Sequence, residues 1–293
     1  MSLTALALVI SAALMHALWN IAAKKAGGDS RFALMSCLLL LVIWAPVGIW
    51  AAYGTILYWG LSEWLAILLS AVAHVFYFNI LLRGYQVSDL TVVYPVARGS
   101  APLLSSIGAI LILGEPLTIF GLIGAISIAV GVFLIAGGFS LWNSADTGEQ
   151  RRRVVIGLAY GAATGIMIAI YTIVDGYSVK VLMISPILVD YLGGLFRVPM
   201  LLPFALRDPE GFYEAWKVQW KYALIVAILG PLGYVLVLFA AQIAPLSHVA
   251  PAREVSMLFA AAFGGKLLSE KNNRGRILGA IFMAIGVISL AIS

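Results

Sequence analysis

The stretch VVYPVARGSAPLLSSIGAILILGEPLTIFGLIGAISIAVGVFLI, residues 92–135, meets its own likeness in PAREVSMLFAAAFGGKLLSEKNNRGRILGAIFMAIGVISL, residues 251–290. A shift of 155 puts Arg98 on Arg253, Glu115 on Glu270, Gly124-Ala125-Ile126 on Gly279-Ala280-Ile281, Ala129 on Ala284, and Gly131-Val132 on Gly286-Val287. With one residue of slippage, Gln86 meets Gln242 and Leu90 meets Leu246. Leu and Ala coincide by chance in any two apolar helices. Coincident Arg, Glu and Gly at one offset mark an internal duplication.

Around this repeat the chain is apolar throughout. Of 293 residues, 62% are hydrophobic and 11% charged, with a mean hydropathy of +1.03. Soluble domains carry about 25% charged residues, so a soluble enzyme is excluded and a polytopic membrane protein is indicated. A bilayer core needs about 20 apolar residues per helix. That rule yields ten spans, at 3–23, 32–52, 63–82, 89–112, 117–138, 153–174, 184–205, 219–241, 245–268 and 276–292. The longest polar stretch, 139–152, separates a first five-helix repeat (1–138) from a second (153–293). The N-terminus has no basic region before its apolar run and reads as a first span, not a cleaved signal. Cys37 is the sole cysteine, so no internal disulfide can form, and no spacing suits a metal or other cofactor. The net charge of +5 is scattered over short loops rather than gathered on one face, so nucleic acid is not an expected partner.

Each half has an odd number of spans, so the second half enters the membrane from the opposite side. The expected fold is therefore an all-α integral membrane protein with ten transmembrane helices in two inverted five-helix repeats, an architecture that recurs in secondary transporters. The two quoted stretches resemble the drug/metabolite transporter superfamily, EamA-like branch, and the resemblance runs over the whole chain. It implies a Pro-containing fourth helix, a Gly-Glu at its end and a Gly-spaced fifth helix, here with Ser269-Glu270 in place of the second Gly-Glu. It also implies efflux or exchange of metabolites, often amino acids or related compounds. Arg98 and Arg253 depart from many members, which have small or apolar residues there.

Leaving aside Arg98, Arg197 and Arg253 deep inside spans, 15 basic residues remain, and fourteen of them lie at or beside the loops following odd-numbered spans; only Lys180 lies on the other side. The positive-inside rule then puts those loops in the cytoplasm and both termini outside an inner membrane. A charged side chain at mid-bilayer costs at least ~2.5–3.5 kcal/mol, so it must face protein or a wet cavity. Arg98 and Arg253 either bind a carboxylate, phosphate or phosphonate, or pair permanently with an acid such as Glu254 or Asp190. Glu254 adjoins Arg253, and neighbours on a helix point about 100° apart, so the two are not expected to neutralise each other. Glu254 is a candidate for a substrate amine or a coupling proton, or else an ion-pair partner. Asp190 and Arg197 share a face but sit ~10.5 Å apart along the axis, too far for a simple pair, so either they line the substrate cavity or each has its own partner.

The histidines His16, His74 and His248 fall inside spans as candidate proton relays or ligand contacts, with a hydrogen-bonded core role as the alternative. His16, Trp19 and Asn20 share one face of the first span. Tyr77, Tyr94, Tyr171 and Tyr234 suit either a substrate pocket or packing. Pro95, Pro102, Pro245 and Pro251 interrupt the repeat-related helices and are candidate kinks or gates, or static bends. The glycines of the fifth and tenth spans are expected to bring helices close. Glu115 and Glu270 are expected to be structural or gating elements. No catalytic constellation is present, so the expected function is carriage of a small polar metabolite, anionic or zwitterionic. A lipid-linked flippase and a multidrug cation exporter are the alternatives. With both repeats in one chain, a monomer suffices.

Overall fold

The structure, a computed structural model, describes residues 1–27, 29–88, 90–135, 148–263 and 273–293, and it holds no strand among them. Its helices are α1 (Leu3–Ala26), α2 (Ser30–Ile43), α3 (Ala45–Ala52), α4 (Leu61–Val87), α5 (Leu90–Leu113), α6 (Ile119–Ile135), α7 (Gly148–Lys180), α8 (Pro186–Leu206), α9 (Pro209–Ile243), α10 (Leu246–Ala252), α11 (Ser256–Phe263) and α12 (Asn273–Ile292). Each expected span overlaps one helix or one broken pair. Among the described residues, six helices (α1, α4, α5, α7, α8 and α9) are singly long and apolar enough to cross a bilayer, and α2 with α3, bent by 64°, makes a seventh. Pro46 starts α3 without an N–H to give, which breaks the ladder there. Trp44, at the break, anchors it by donating to the Ala227 carbonyl at 3.1 Å. A 3-10 turn at Arg253–Val255 joins α10 to α11.

Several helices outrun the expected spans, among them α9 and, of more consequence here, α7. Its N-terminal turns carry a Glu149–Arg153 pair at 3.6 Å, and its C-terminal turns continue past Asp175 to Lys180. Glu270, Lys266 and Lys271 lie outside the described residues.

The two halves interleave rather than sit side by side. α1 packs chiefly on α9, and α4 packs on α7, which is the same contact with the halves exchanged. The contact of α5 with α7 is likewise matched by that of α1 with α10, the 3-10 turn and α11. α6 packs on its own counterpart α12, and the register of that seam gives its direction. A Cβ on Gly124 would lie 3.0 Å from the Gly286 carbonyl oxygen, and one on Gly131 would lie 2.7 Å from that of Gly279. One number rises as the other falls, so these repeat-related helices run antiparallel. The second half is inverted relative to the first, and the absence of side chains at these glycines permits the close approach. At one face the Met1 amine donates to the Ala291 carbonyl at 3.0 Å, bringing the start of α1 to the end of α12.

The lipid-facing surface is apolar. Leu111 and Ile119 are 77% and 76% exposed on the outside of the bundle, which in hydrocarbon is the favourable state. Trp50, Tyr53 and Tyr58 stand exposed at the end of α3 and the loop after it, where amphipathic rings suit the headgroup region.

Candidate functional site

The interleaving brings the two repeat-related arginines to one buried carboxylate. Glu254, fully buried, accepts from Arg98 Nη1 at 3.3 and 3.4 Å through its two oxygens. Its Oε1 also lies 3.7 Å from Arg253 Nε. The expectation that Arg253 and Glu254 keep apart is therefore corrected. They sit in a 3-10 turn, not a regular α-helix, and both long side chains fold inward to the same place. The contact is ionic only, because Arg253 Nε is buried with no hydrogen-bond partner. Two guanidiniums thus share one carboxylate.

His16 completes Arg98's surroundings, with Nε2 at 2.9 Å from Nη2. A guanidinium can only donate, so this imidazole nitrogen accepts and the ring is the neutral Nδ1–H tautomer. Trp19 meets His16 edge-on, with centroids 4.8 Å apart, and Tyr94 lies under Arg98 at 5.7 Å. Asn20 spends its amide on the His16 carbonyl of its own helix at 2.6 Å.

Beside this cluster lies an aromatic one. His74 Nδ1 bonds the Ser70 carbonyl at 2.9 Å, and its ring stacks on Tyr171 at 3.8 Å. Tyr234 and Tyr77 approach the same stack, with Tyr77 5.9 Å from Tyr171. The Tyr234 hydroxyl donates to Asp175, a residue that the sequence reading missed. The expected sixth span stopped at 174, which left Asp175 in a loop, whereas α7 runs on and buries it to 1% exposure. The 155 offset was a usable signal, since it equates Asp175 with Asn20 and Tyr171 with His16.

Asp190 and Arg197 do pair, at 3.5 Å, contrary to expectation. The rise of two turns was right, but helical side chains lean toward the N-terminus, and the long Arg197 side chain reaches back over that distance. Its Nε donates to the Gly193 carbonyl at 3.1 Å on the way.

His248 is not part of this centre. It sits on the first turns of α10, against Gly121 and Thr118. Pro245 is the N-cap residue of α10 and so interrupts no helix, a second correction. Pro251 does stand inside α10, and the carbonyl it frees, that of Ser247, is taken by the Ser106 hydroxyl of α5 at 3.0 Å. That is how a static bend is satisfied. Pro95 and Pro102 lie inside α5.

At the face where α5 ends, Glu115 accepts from Lys180 Nζ at 2.6 Å and from the backbone N–H groups of Leu246 and Ser247 at 2.6 and 2.8 Å. It caps α10 from the other half of the molecule. Burial works against its charge, but the Lys180 ammonium and the two N–H donors outweigh it and hold the carboxyl below the usual range.

A two-repeat inverted helical bundle with ionised groups gathered at its centre defines a class, the multi-pass membrane carriers. The chain belongs to the EamA-like transporter family, whose model matches it twice, over residues 3–137 and 155–292. It is thus a multi-pass membrane protein of a family of small-molecule transporters within the drug/metabolite transporter superfamily, a family whose members are in general not enzymes. A crystal structure described only as that of a protein has the same fold, with a TM-score of 0.75 over 100% of this chain and 98% of the other, at 15% identity. No curated protein matches the chain.

Proposed function

We propose that the protein is a secondary carrier for a small anionic or zwitterionic metabolite, such as an amino acid, organic acid or phosphonate. It exports or exchanges this substrate by alternating access of the two halves around the arginine centre. One observation carries the reading: Arg98 from the first half and Arg253 from the second share a single carboxylate, Glu254, and Arg253 Nε is left unbonded. A purely structural pair needs one guanidinium. A second, partly unsatisfied, is a place for a further carboxylate or phosphate, which planar donors bind through paired hydrogen bonds. Both arginines come from repeat-related positions, so rocking the halves changes their mutual distance and the tightness of any bound anion. His16, Trp19, Tyr94, Tyr77 and Tyr171 supply the walls.

On this reading the repeats are 1–138 and 153–293, the chain sits in an inner membrane with both termini outside, and one copy suffices. Thermal stability of the detergent-purified protein is measured against amino acids, organic acids, phosphonates and lipophilic cations, since a ligand of the folded state raises stability by mass action. Stabilisation by an anionic or zwitterionic compound, lost in Arg98→Ala and Arg253→Ala, is the expected result and leads to liposome transport of that compound. Stabilisation by lipophilic cations alone, unchanged in both variants, refutes it.

A further inference from the structure

Asp175 is the one buried carboxyl of the described bundle that faces no cation within ion-pair distance. Glu254 has Arg98 and Arg253, Asp190 has Arg197, and Glu115 has Lys180. Asp175 has a phenol. Its Oδ2 accepts from the Tyr234 hydroxyl, while its Oδ1 is buried with no hydrogen-bond partner. Ser70 of α4 lies close by, and Thr172, on the same face of α7, has a hydroxyl that is likewise buried and unbonded. An ionised carboxylate taken out of water without a counter-ion is strongly disfavoured, and an unpaired lone pair adds to the penalty.

The groups around it complete the picture. α4 contributes His74 and Tyr77, α7 itself Tyr171, α9 Tyr234, and α8 the Asp190–Arg197 pair, with Arg98 of α5 and Arg253 of the 3-10 turn beyond Tyr171. Among the described residues the guanidiniums of this centre are Arg98, Arg197 and Arg253, the first and second half-buried and the third buried. Its carboxyls are Glu254, Asp190 and Asp175, while the Glu115–Lys180 pair at the end of α5 balances on its own. With Asp175 ionised the two sets balance. With Asp175 neutral, one positive charge is left over, and geometrically it falls on Arg253, which shares its only acid with Arg98.

We infer that Asp175 is the proton-binding site of the carrier, and that its protonation and the binding of an anion at Arg98 and Arg253 favour each other. The proton adds to the bare Oδ1, converting carboxylate to carboxylic acid, while Tyr234 goes on donating to Oδ2. Loss of that negative charge leaves the centre with one surplus cation, which a monoanion neutralises. Proton and monoanion then cross together as an electroneutral load, in the direction of their summed gradients. Exchange of one anion for another needs no net proton movement. This rests on the reading of the arginine centre as an anion site, but the proton site is separable from it.

The test is infrared spectroscopy of the purified protein titrated from acid to alkaline pH, with and without acetate. Acetate is a bare carboxylate that probes the guanidiniums whatever the natural substrate carries. In wild type a protonated carboxyl band is expected to vanish as pH rises, to be missing in Asp175→Asn, and to persist in Asp190→Asn. Acetate is expected to move the midpoint upward, and Arg253→Gln to abolish that movement while the Asp175 band itself persists, its acetate-free midpoint raised by loss of the guanidinium charge. By linkage, acetate affinity in wild type rises by up to about tenfold per pH unit of acidification between the acetate-bound and acetate-free midpoints, and shows no such rise in Asp175→Asn. A band untouched by Asp175→Asn overturns the proton site, even if anions still stabilise the protein at the arginines. A band that belongs to Asp175 but ignores acetate leaves the proton site standing and overturns its coupling to the arginine centre.

Discussion

Replacing Glu115 by Ala should destabilise the protein by about 2–4 kcal/mol, and the figure follows from what the carboxylate leaves behind. Three short bonds disappear, from Lys180 and from the Leu246 and Ser247 N–H groups. Hydrogen bonds to a charged acceptor contribute about 1.5–3 kcal/mol each, which summed would exceed the expected cost. Two features reduce it. The Lys180 side chain is 21% exposed, so water can take over its charge, and only the two N–H groups at the start of α10 are stranded. The readout is already in the chain: Cys37 is its only cysteine and is buried, so a thiol-reactive dye reports unfolding on heating. For a chain of this size roughly 2–4 °C accompanies each kcal/mol, so a fall of about 4–16 °C is expected. The pH dependence gives a second check. Glu115's carboxyl is held below the usual range, so its contribution is present above the ordinary carboxylate value and is lost as pH falls through the depressed one. Wild type should therefore lead Glu115→Ala near neutral pH and converge with it in acid. A difference under about 0.5 kcal/mol at neutral pH, or a lead that grows on acidification, would show that the cap carries no load.

Removing Glu254 as Gln leaves Arg98 and Arg253 facing each other without their acid, and about 3–5 kcal/mol should be lost; the double change Arg98→Met with Glu254→Gln should recover part of it by the same dye assay. Gly131→Ala puts a methyl 2.7 Å from the Gly279 carbonyl oxygen, and overpacking of this kind costs about 1–3 kcal/mol. Gly230→Ala, whose new methyl meets nothing nearer than 4.0 Å, should be neutral or slightly stabilising. With Cys37 replaced by Ala, a membrane-impermeant thiol reagent applied to intact cells should label a cysteine at Ser2 and spare one at Arg152. The reverse pattern would overturn the proposed orientation.

The fold was readable because it is written in coarse terms: long apolar runs, short loops, and polar residues repeated at one offset. Which polar groups meet was not. Arg98 and Glu254 lie far apart in sequence, and no spacing rule links residues on interleaved helices. Where spacing rules were applied they failed for identifiable reasons. The separation of Asp190 from Arg197 was taken between backbones, though a long side chain spans it, and the divergence of Arg253 from Glu254 assumed an α-helix where the chain makes a 3-10 turn. Asp175 was lost because hydropathy ends a span at the first charge. A buried helix can continue through one if a tyrosine on another helix meets it.

The interleaving of α1 with α9 and of α4 with α7 bears on how the chain is made. A ribosome delivers α1 to the membrane long before α9 exists, so the helices of the first repeat emerge before their main packing partners in the second. The Arg98 guanidinium likewise waits for Glu254, and Glu115 for the start of α10. The nascent first repeat is thus an incomplete object rather than a finished domain, open to quality-control proteases until its partner arrives. A chain cut at the midpoint would survive only where both pieces were inserted together.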